Sequence, residues 1–240
     1  MERIFGSFNK GQVPNSSSES NEQWISMSDL MAGLMMVFML IAIAFMRYAQ
    51  VESDKIKEVA VTYQNTQVAL YESLHKEFAA DLELWDAEID QTTLEFRFKS
   101  PEVLFGTGEI SLRPQFKKIL NDFFPRYLAV ISSFRDNISE IRIEGHTSSV
   151  WNTQTSADMA YFLNMELSQG RTRSVLQHVH SIPAVAIERN WIKSKFAAVG
   201  YSSSQLVFDQ HGNEDQERSR RVSFKVMTNA ETQIRKIIDI

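Results

Sequence analysis

The clearest pattern in the chain is an uncharged apolar run from Leu30 to Met46, close to the N-terminus. Trp24 precedes the run and Arg47 follows it. Residues of these types anchor a helix at the two surfaces of a bilayer. A single span needs about 20 mainly apolar residues, which the run and its flanks supply. The pattern therefore predicts one membrane helix over 24–48. The residues after the run lack the small-residue pattern of a cleavage site, so we expect the helix to remain as an anchor.

The segments on either side of the span have different patterns. Residues 1–23 are mainly polar and cannot bury enough surface to become ordered, which predicts a disordered tail. No glycine or proline occurs between Gly33 and Pro101, so the helix is predicted to continue as a connector over 49–83. Apolar or neutral residues recur along this connector at heptad-like spacing, at Ile56, Val59, Tyr63, Thr66, Leu70, Leu74, Phe78 and Leu82. This stripe fits either self-pairing in a parallel dimer or packing of the helix on its own domain.

From residue 84 onward, short strands alternate with helices. Alternating or clustered apolar residues predict strands, and apolar residues with helical period predict helices. In chain order these predicted elements are a strand, a helix, a strand, a helix and two strands, at 92–98, 116–134, 141–143, 163–179, 196–199 and 222–226. This order predicts an α+β domain over 84–228, with helices on one face of a small mixed sheet. Residues 229–240 are predicted to form a C-terminal tail.

Composition and charge narrow the class of function. The 240 residues carry a formal net charge of −5 with both signs scattered, so no basic stripe is present to bind nucleic acid. The sequence has no cysteine, which excludes disulfides, thiolate metal sites and cysteine nucleophiles. His178 and His180 are two positions apart on a predicted helix and point to different sides, so they do not form a metal site. No nucleophile triad or phosphate loop is recognisable, and we do not predict an enzyme.

One acid, Asp29, stands at the N-terminal edge of the apolar run. An ionised carboxylate costs about 2.5 to 3.5 kcal/mol at the centre of a bilayer and less near the interface, so it needs a partner, a proton or water. An acid placed there can carry a proton across the membrane. Alternatively, Ser26, Ser28 and Asp29 cap a helix that begins at Leu30, with the carboxylate accepting hydrogen bonds from free backbone N–H groups.

Four motifs follow one another in the second half of the chain. They are Ile-Arg-Ile-Glu-Gly-His-Thr-Ser from Ile141, Asn-Met-Glu-Leu-Ser-Gln-Gly-Arg from Asn164, Ala-Val-Gly-Tyr from Ala198 and Arg-Ser-Arg-Arg-Val from Arg218. In this order they resemble the signature of OmpA-like peptidoglycan-binding domains, which runs G-H-T-D, N-x-x-L-S-x-x-R-A, G-Y-G and N-R-R-V. The resemblance covers about 84–226.

The resemblance implies a clamp for the diaminopimelate of a cell-wall peptide, formed by the Asp of the first motif and the Arg of the second. Arg171 occupies the Arg position, but Ser148 stands where the family has Asp. A serine hydroxyl can make a hydrogen bond but cannot neutralise an ammonium group. Affinity should therefore fall, or another acid such as Asp158 must serve.

The residues that the resemblance assigns to peptidoglycan binding are Thr147, Ser148, Asn164, Leu167, Arg171 and Arg220. Three of them, Asn164, Leu167 and Arg171, lie at positions i, i+3 and i+7 and share one face of a helix. The alternative to a binding role is that Leu167 belongs to the core and Arg171 forms a surface salt bridge.

The whole arrangement gives a second resemblance. A short tail, one span that begins with Asp29, a helical connector and an OmpA-like domain resemble MotB, the B subunit of flagellar-type stators. The stretch Ser-Asp-Leu-Met-Ala-Gly-Leu-Met-Met-Val-Phe is closer still to the B subunits of Zorya anti-phage defence systems. This resemblance implies that Asp29 binds the translocated ion, H⁺ or Na⁺, with no other cofactor. The implied partners are a second copy of the chain, a pentamer of MotA-like A subunits and peptidoglycan.

The resemblance also implies a location. It places a single-pass protein in the bacterial inner membrane, with the N-terminus in the cytoplasm and the C-terminal domain in the periplasm. The positive-inside rule favours the opposite orientation, because only Lys10 lies shortly before the span whereas Arg47, Lys55 and Lys57 follow it. Two alternative functions stay open at this point, a flagellar-type stator subunit and a passive peptidoglycan tether without ion transport.

Overall fold

The computed structural model describes residues 16–99 and 101–229. The predicted tail over 1–23 lies mostly outside these residues, as does nearly all of the predicted C-terminal tail over 229–240. The chain divides into two compact units, with the boundary between Lys55 and Ile56. The second unit therefore includes much of the predicted connector.

The first unit consists of the N-terminal part of helix α1, Ser16–Phe78. The helix begins ahead of Trp24, consistent with a sequence that has no glycine or proline between Pro14 and Gly33. Its apolar side chains are exposed in the isolated chain, for example Leu30 at 74% and Met46 at 68%. Within the described residues, this is the one helix long and apolar enough to cross a membrane, with a mean hydropathy of 2.3 over its most apolar window.

The second unit contains a five-stranded sheet with the strand order β1-β2-β5-β3-β4. Strands β3 and β4 are parallel and the other neighbours are antiparallel, so the sheet is mixed. In chain order the elements after α1 are β1 (Ala87–Ile89), β2 (Glu95–Phe98), α2 (Pro101–Leu104), α3 (Pro114–Ser132), β3 (Ile138–His146), α4 (Ala157–Ser181), α5 (Arg189–Lys195), β4 (Phe196–Ser202), α6 (Gln216–Ser219) and β5 (Arg221–Thr228).

The core lies between the helices and one face of the sheet. Phe123 of α3 is fully buried, and its ring centroid lies 4.5 Å from that of Phe96 and 5.1 Å from that of Phe224. Ile141 and Ile143 of β3 contribute to the same buried cluster. The alternate residues of these strands are mostly charged and face the other side, as the period of two in a strand requires. The predicted α+β class, with helices on one face of a small mixed sheet, is confirmed.

The connector stripe is divided between two environments. Leu70, Leu74 and Phe78 are fully buried in the core of the second unit, and the Phe78 ring lies 5.3 Å from that of Phe123. Nearer the N-terminus, Ile56 and Tyr63 are each 37% exposed. Of the two interpretations of the stripe, packing of the helix on its own domain is therefore correct for the C-terminal half.

The predicted strands and helices all occur, but several are longer than expected. Strand β3 extends beyond the predicted 141–143. The prediction was too short because the polar residues Glu140 and Glu144 lie on the second face of the sheet and interrupt the apolar run. Strand β2 is shorter than 92–98, since Leu94 has a positive φ of 54° and lies in the turn before Glu95. The sequence missed β1, whose three residues are too few for a recognisable alternation.

Candidate functional site

A cavity of about 320 Å³ lies where β3 ends beside α4. We call it the Arg171 pocket. It brings together four parts of the chain that are distant in sequence. Its lining consists of Phe105, Gly106, Thr107, Gly108, Thr147, Ser148, Val150, Trp151, Asn164, Leu167, Arg171 and Arg220. All six residues that the OmpA-like resemblance assigns to binding are in this lining. Their role in binding stays a prediction, but their convergence on one cavity is a finding.

Arg171 lies at the centre of the pocket and is only 9% exposed. Its Nε donates to the backbone oxygen of Glu109 at 2.9 Å, and its Nη2 donates to that of Gly106 at 3.1 Å. The guanidinium carbon lies 4.8 Å from the centroid of the Phe105 ring, which is cation–π geometry. Throughout residues 16–99 and 101–229, no carboxylate forms an ion pair with Arg171. The interpretation of Arg171 as a surface salt bridge is therefore wrong, because its guanidinium group donates to backbone carbonyl oxygens inside the fold.

The pocket has a positive electrostatic character. Burial and the nearby charge of Arg220 lower the pKa of Arg171 to about 10, so the side chain is still charged at neutral pH. Within the described structure, the Nε of Arg220 and the Oγ1 of Thr147 are buried and lack a hydrogen-bond partner. Buried polar atoms normally have hydrogen-bond partners, so both atoms are available to a ligand in this cavity. The arrangement suits an anionic group such as a carboxylate.

The turn after β3 forms the second wall. The backbone N–H of Thr147 donates to the Ser202 oxygen at 2.9 Å, and the buried Asn164 donates from Nδ2 to the Ser148 oxygen at 3.1 Å. Asn164 therefore holds the turn in place. Leu167 is half-buried and supplies an apolar surface between Asn164 and Arg171 on the same helix face.

Two glycines allow α4 to approach the sheet closely enough to build this wall. A Cβ atom at Gly145 of β3 would lie 2.9 Å from the Ser168 oxygen, and one at Gly200 of β4 would lie 2.5 Å from the Gln169 nitrogen. Any side chain at either position would push the helix away from the strands. Both glycines belong to motifs recognised in the sequence.

No sequence pattern indicated Glu214, which supports the turn from a distant loop. Its Oε1 accepts a hydrogen bond from the Ser149 backbone N–H at 2.8 Å, and its Oε2 accepts one from the Ser149 hydroxyl. The two residues are 65 positions apart. No local pattern can signal such a pair, since it depends on how the loop after β4 folds back.

Asp158 and Asp29 are the other candidates from the sequence, and neither lines the pocket. Asp158 is exposed in the first turn of α4 and does not line the pocket, so the structure gives no support to its serving as the missing acid. His146 is buried at the end of β3 and its ring stacks on Tyr201 at 5.1 Å. Burial lowers the pKa of His146, which favours the neutral ring. Asp29 lies in the first unit, within α1 and well after its first turn at Ser16, so it does not cap this helix.

Comparison with known proteins identifies the family. No protein-family model matches the chain. Zorya protein ZorB of Escherichia coli is 60% identical over 238 residues, which cover 99% of both chains. The chain belongs to the ZorB family. The uncharacterized protein YtxE of Bacillus subtilis is 31% identical to this chain over 124 residues, which are 52% of this chain and 44% of YtxE.

Solved structures similar to the chain have lower identity. A MotB-like protein from Desulfovibrio vulgaris has a TM-score of 0.47 at 22% identity, covering 73% of this chain and 94% of its own. The periplasmic domain of Helicobacter pylori MotB has a TM-score of 0.43 at 15% identity, covering 64% of this chain and 88% of its own. The OmpA-like domain of FopA1 from Francisella tularensis has a TM-score of 0.38 at 15% identity, covering 59% of this chain and 80% of its own.

Proposed function

We propose that the chain is the B subunit of an ion-driven rotary motor that acts in Zorya anti-phage defence. The proposal is carried by a combination of features in a chain that is 60% identical to ZorB. The chain has an acid inside an apolar helix, and it has a pocket around a buried arginine that has no acidic partner among the described residues. In this proposal, two copies pair within a pentamer of MotA-like A subunits. The helix spans the inner membrane with its N-terminus in the cytoplasm, and the second unit lies in the periplasm.

Asp29 is the proposed ion carrier. Its position inside α1 is consistent with this role, because an acid that does not cap its helix needs another reason to stand beside an apolar run. When the carboxylate takes up H⁺ or Na⁺ from the periplasmic side, its charge is neutralised and its contacts with the A subunits change. An elementary charge that crosses the membrane gains about 2.3 kcal/mol per 100 mV, which can drive a step of the A-subunit ring.

The Arg171 pocket is the proposed anchor to peptidoglycan. A carboxylate of a diaminopimelate-containing wall peptide would accept charge-assisted hydrogen bonds from Arg171 and Arg220. The free Thr147 hydroxyl would donate to the same ligand, and Leu167 would contact its aliphatic part. A B-subunit dimer held still by the wall gives the ring a fixed point, so that ion flow produces rotation.

The test is phage plating on cells that carry the complete neighbouring gene set with this chain as wild type, Asp29→Asn or Asp29→Glu. We expect Asp29→Asn to abolish protection at equal membrane levels on a blot, because an amide does not titrate. Asp29→Glu is the matched control and should retain part of the protection. Full protection by Asp29→Asn would reject ion transport and favour a passive tether. Loss of motility on deletion of the gene would favour a flagellar-type stator instead.

A further inference from the structure

A second cavity adjoins the Arg171 pocket. It has a volume of about 560 Å³ and shares Gly108, Trp151 and Leu167 with the first cavity. We call it the Glu166 pocket, after the one acid in its lining. The shared residues place the two cavities side by side along α4.

Helix α4 supplies one face to each pocket. Asn164, Leu167 and Arg171 line the first, whereas Leu163, Glu166, Gly170 and Arg173 line the second at spacings of three and four residues. Gly170 lets the loop after Phe105 approach the helix, since a Cβ atom there would lie 2.7 Å from the Cγ2 of Ile110. The floor of the second pocket is thus built by a close contact between the helix and this loop.

The two pockets differ in the charge that they offer. Among the described residues, the lining of the Arg171 pocket contains two guanidinium groups and no carboxylate, so the pocket favours an anion over an ammonium group. The Glu166 carboxylate is exposed and makes no hydrogen bond or ion pair with any other residue in the described ranges. It stands five positions before Arg171, about 7.5 Å along the helix axis at a rise of ~1.5 Å per residue.

We propose that the Glu166 pocket is a second subsite beside the Arg171 pocket, in which Glu166 binds the ammonium group of a wall peptide whose carboxylate is bound by Arg171. Ser148 leaves the ammonium without a partner in the first pocket, and Glu166 provides one across the ridge formed by Leu167. Trp151, which is 37% exposed, covers the aliphatic chain between the two charged groups. This inference rests on the proposed wall-binding function.

Calorimetric titration of the full-length protein in detergent micelles tests the subsite with two ligands. One is a wall tripeptide whose diaminopimelate side chain has a free ammonium group, and the other is the same tripeptide acetylated on that nitrogen. We expect the wild type to bind the free amine about fivefold more tightly than the acetylated peptide, as an exposed ion pair of ~1 kcal/mol allows. Glu166→Gln should remove this preference and leave binding of the acetylated peptide unchanged.

Matched variants separate the possible failures. Glu217→Gln alters an exposed acid outside both pockets and should keep the wild-type preference. Glu166→Lys should reverse the preference, because the introduced lysine and Arg173 of the same lining would then both repel the ammonium group. If the wild type and Glu166→Gln bind both peptides with the same ratio, the subsite is rejected while the anchor proposal stands. If the wild type binds neither peptide, the anchor proposal fails and the subsite fails with it.

Discussion

At the residue scale, the Arg171 pocket is held by hydrogen bonds to the backbone and by one distant acid. Arg171 fastens the loop that carries Gly106 and Glu109, so the same guanidinium that faces the cavity also shapes its wall. Glu214 fastens the opposite wall through Ser149. A pocket supported in this way is preorganised, and a ligand need not order the turn when it binds.

We expect Glu214→Ala to loosen the turn at Ser149 and to lower the free energy of unfolding by about 1 to 2 kcal/mol, because it removes two hydrogen bonds to a carboxylate. Binding to purified sacculi should fall as well, although Glu214 does not line the pocket. Urea denaturation and pull-down measure the two effects. Glu217→Ala, which removes an exposed acid nearby in the chain, is the control and should change neither. Unchanged pull-down with Glu214→Ala would show that the turn keeps its shape without this support.

At the scale of elements, the face of the sheet away from the helices carries a network of charges. Glu95 of β2 is 5% exposed and lies 2.8 Å from the Nη2 of Arg97 and 3.1 Å from the Nζ of Lys225 on β5. Burial by itself would raise the pKa of Glu95, but the hydrogen bonds and charges of Arg97 and Lys225 outweigh it and lower the pKa. The network therefore joins β2 to β5 across the sheet.

The lowered pKa predicts the pH at which this network is lost. A carboxyl group whose folded pKa lies below its unfolded value stabilises the fold above pH ~4.3, and this stabilisation disappears as the pH falls through the folded pKa. We expect Glu95→Gln to cost about 2 kcal/mol at pH 7 and progressively less as the pH falls through the lowered pKa of Glu95. Thermal unfolding from pH 2 to 8 measures the difference. Glu140→Gln, in a half-exposed pair with Arg142, should cost less than about 1 kcal/mol at any pH. An equal cost of Glu95→Gln at pH 2 and pH 7 would contradict the assignment.

At the scale of the whole molecule, the boundary between the two compact units lies inside the predicted connector. The second unit begins at Ile56, and Leu70, Leu74 and Phe78 of the connector are fully buried in its core. Arg126 of α3 also binds the Glu77 carboxylate at 2.7 Å. The C-terminal part of α1 is thus a structural part of the domain.

Truncation at the two boundaries provides a test. We expect a fragment of residues 56–240 to unfold cooperatively, whereas a fragment of residues 84–240 should lack a stable core. The shorter fragment loses three fully buried side chains, together worth about 5 to 9 kcal/mol, which is comparable with the whole stability of a domain. Near-UV circular dichroism and thermal melting distinguish the two fragments. Equal melting temperatures would show that the domain is independent of the connector, as the predicted boundary at residue 84 implies.

Local patterns determined much of the fold and part of the site. The apolar run predicted the candidate span found among the described residues, and the alternation of Phe96 and Phe98 predicted which face of β2 is buried. The motifs predicted six residues that all line one pocket, including Arg171. These features depend on neighbours a few positions apart in the chain, where the period of a helix or strand decides which side chains lie together.

Tertiary structure decided whatever depends on contacts between distant segments. A heptad-like stripe has the same spacing whether it pairs with a second copy or packs on its own domain, and the position of Phe123 beside Phe78 determines the outcome only for the C-terminal half of the stripe. Glu214 supports Ser149 and Glu166 lines a second pocket because loops fold against the ends of the sheet and against α4. The sequence specifies these contacts only through the free energy of the whole packed domain, which no local periodicity reports.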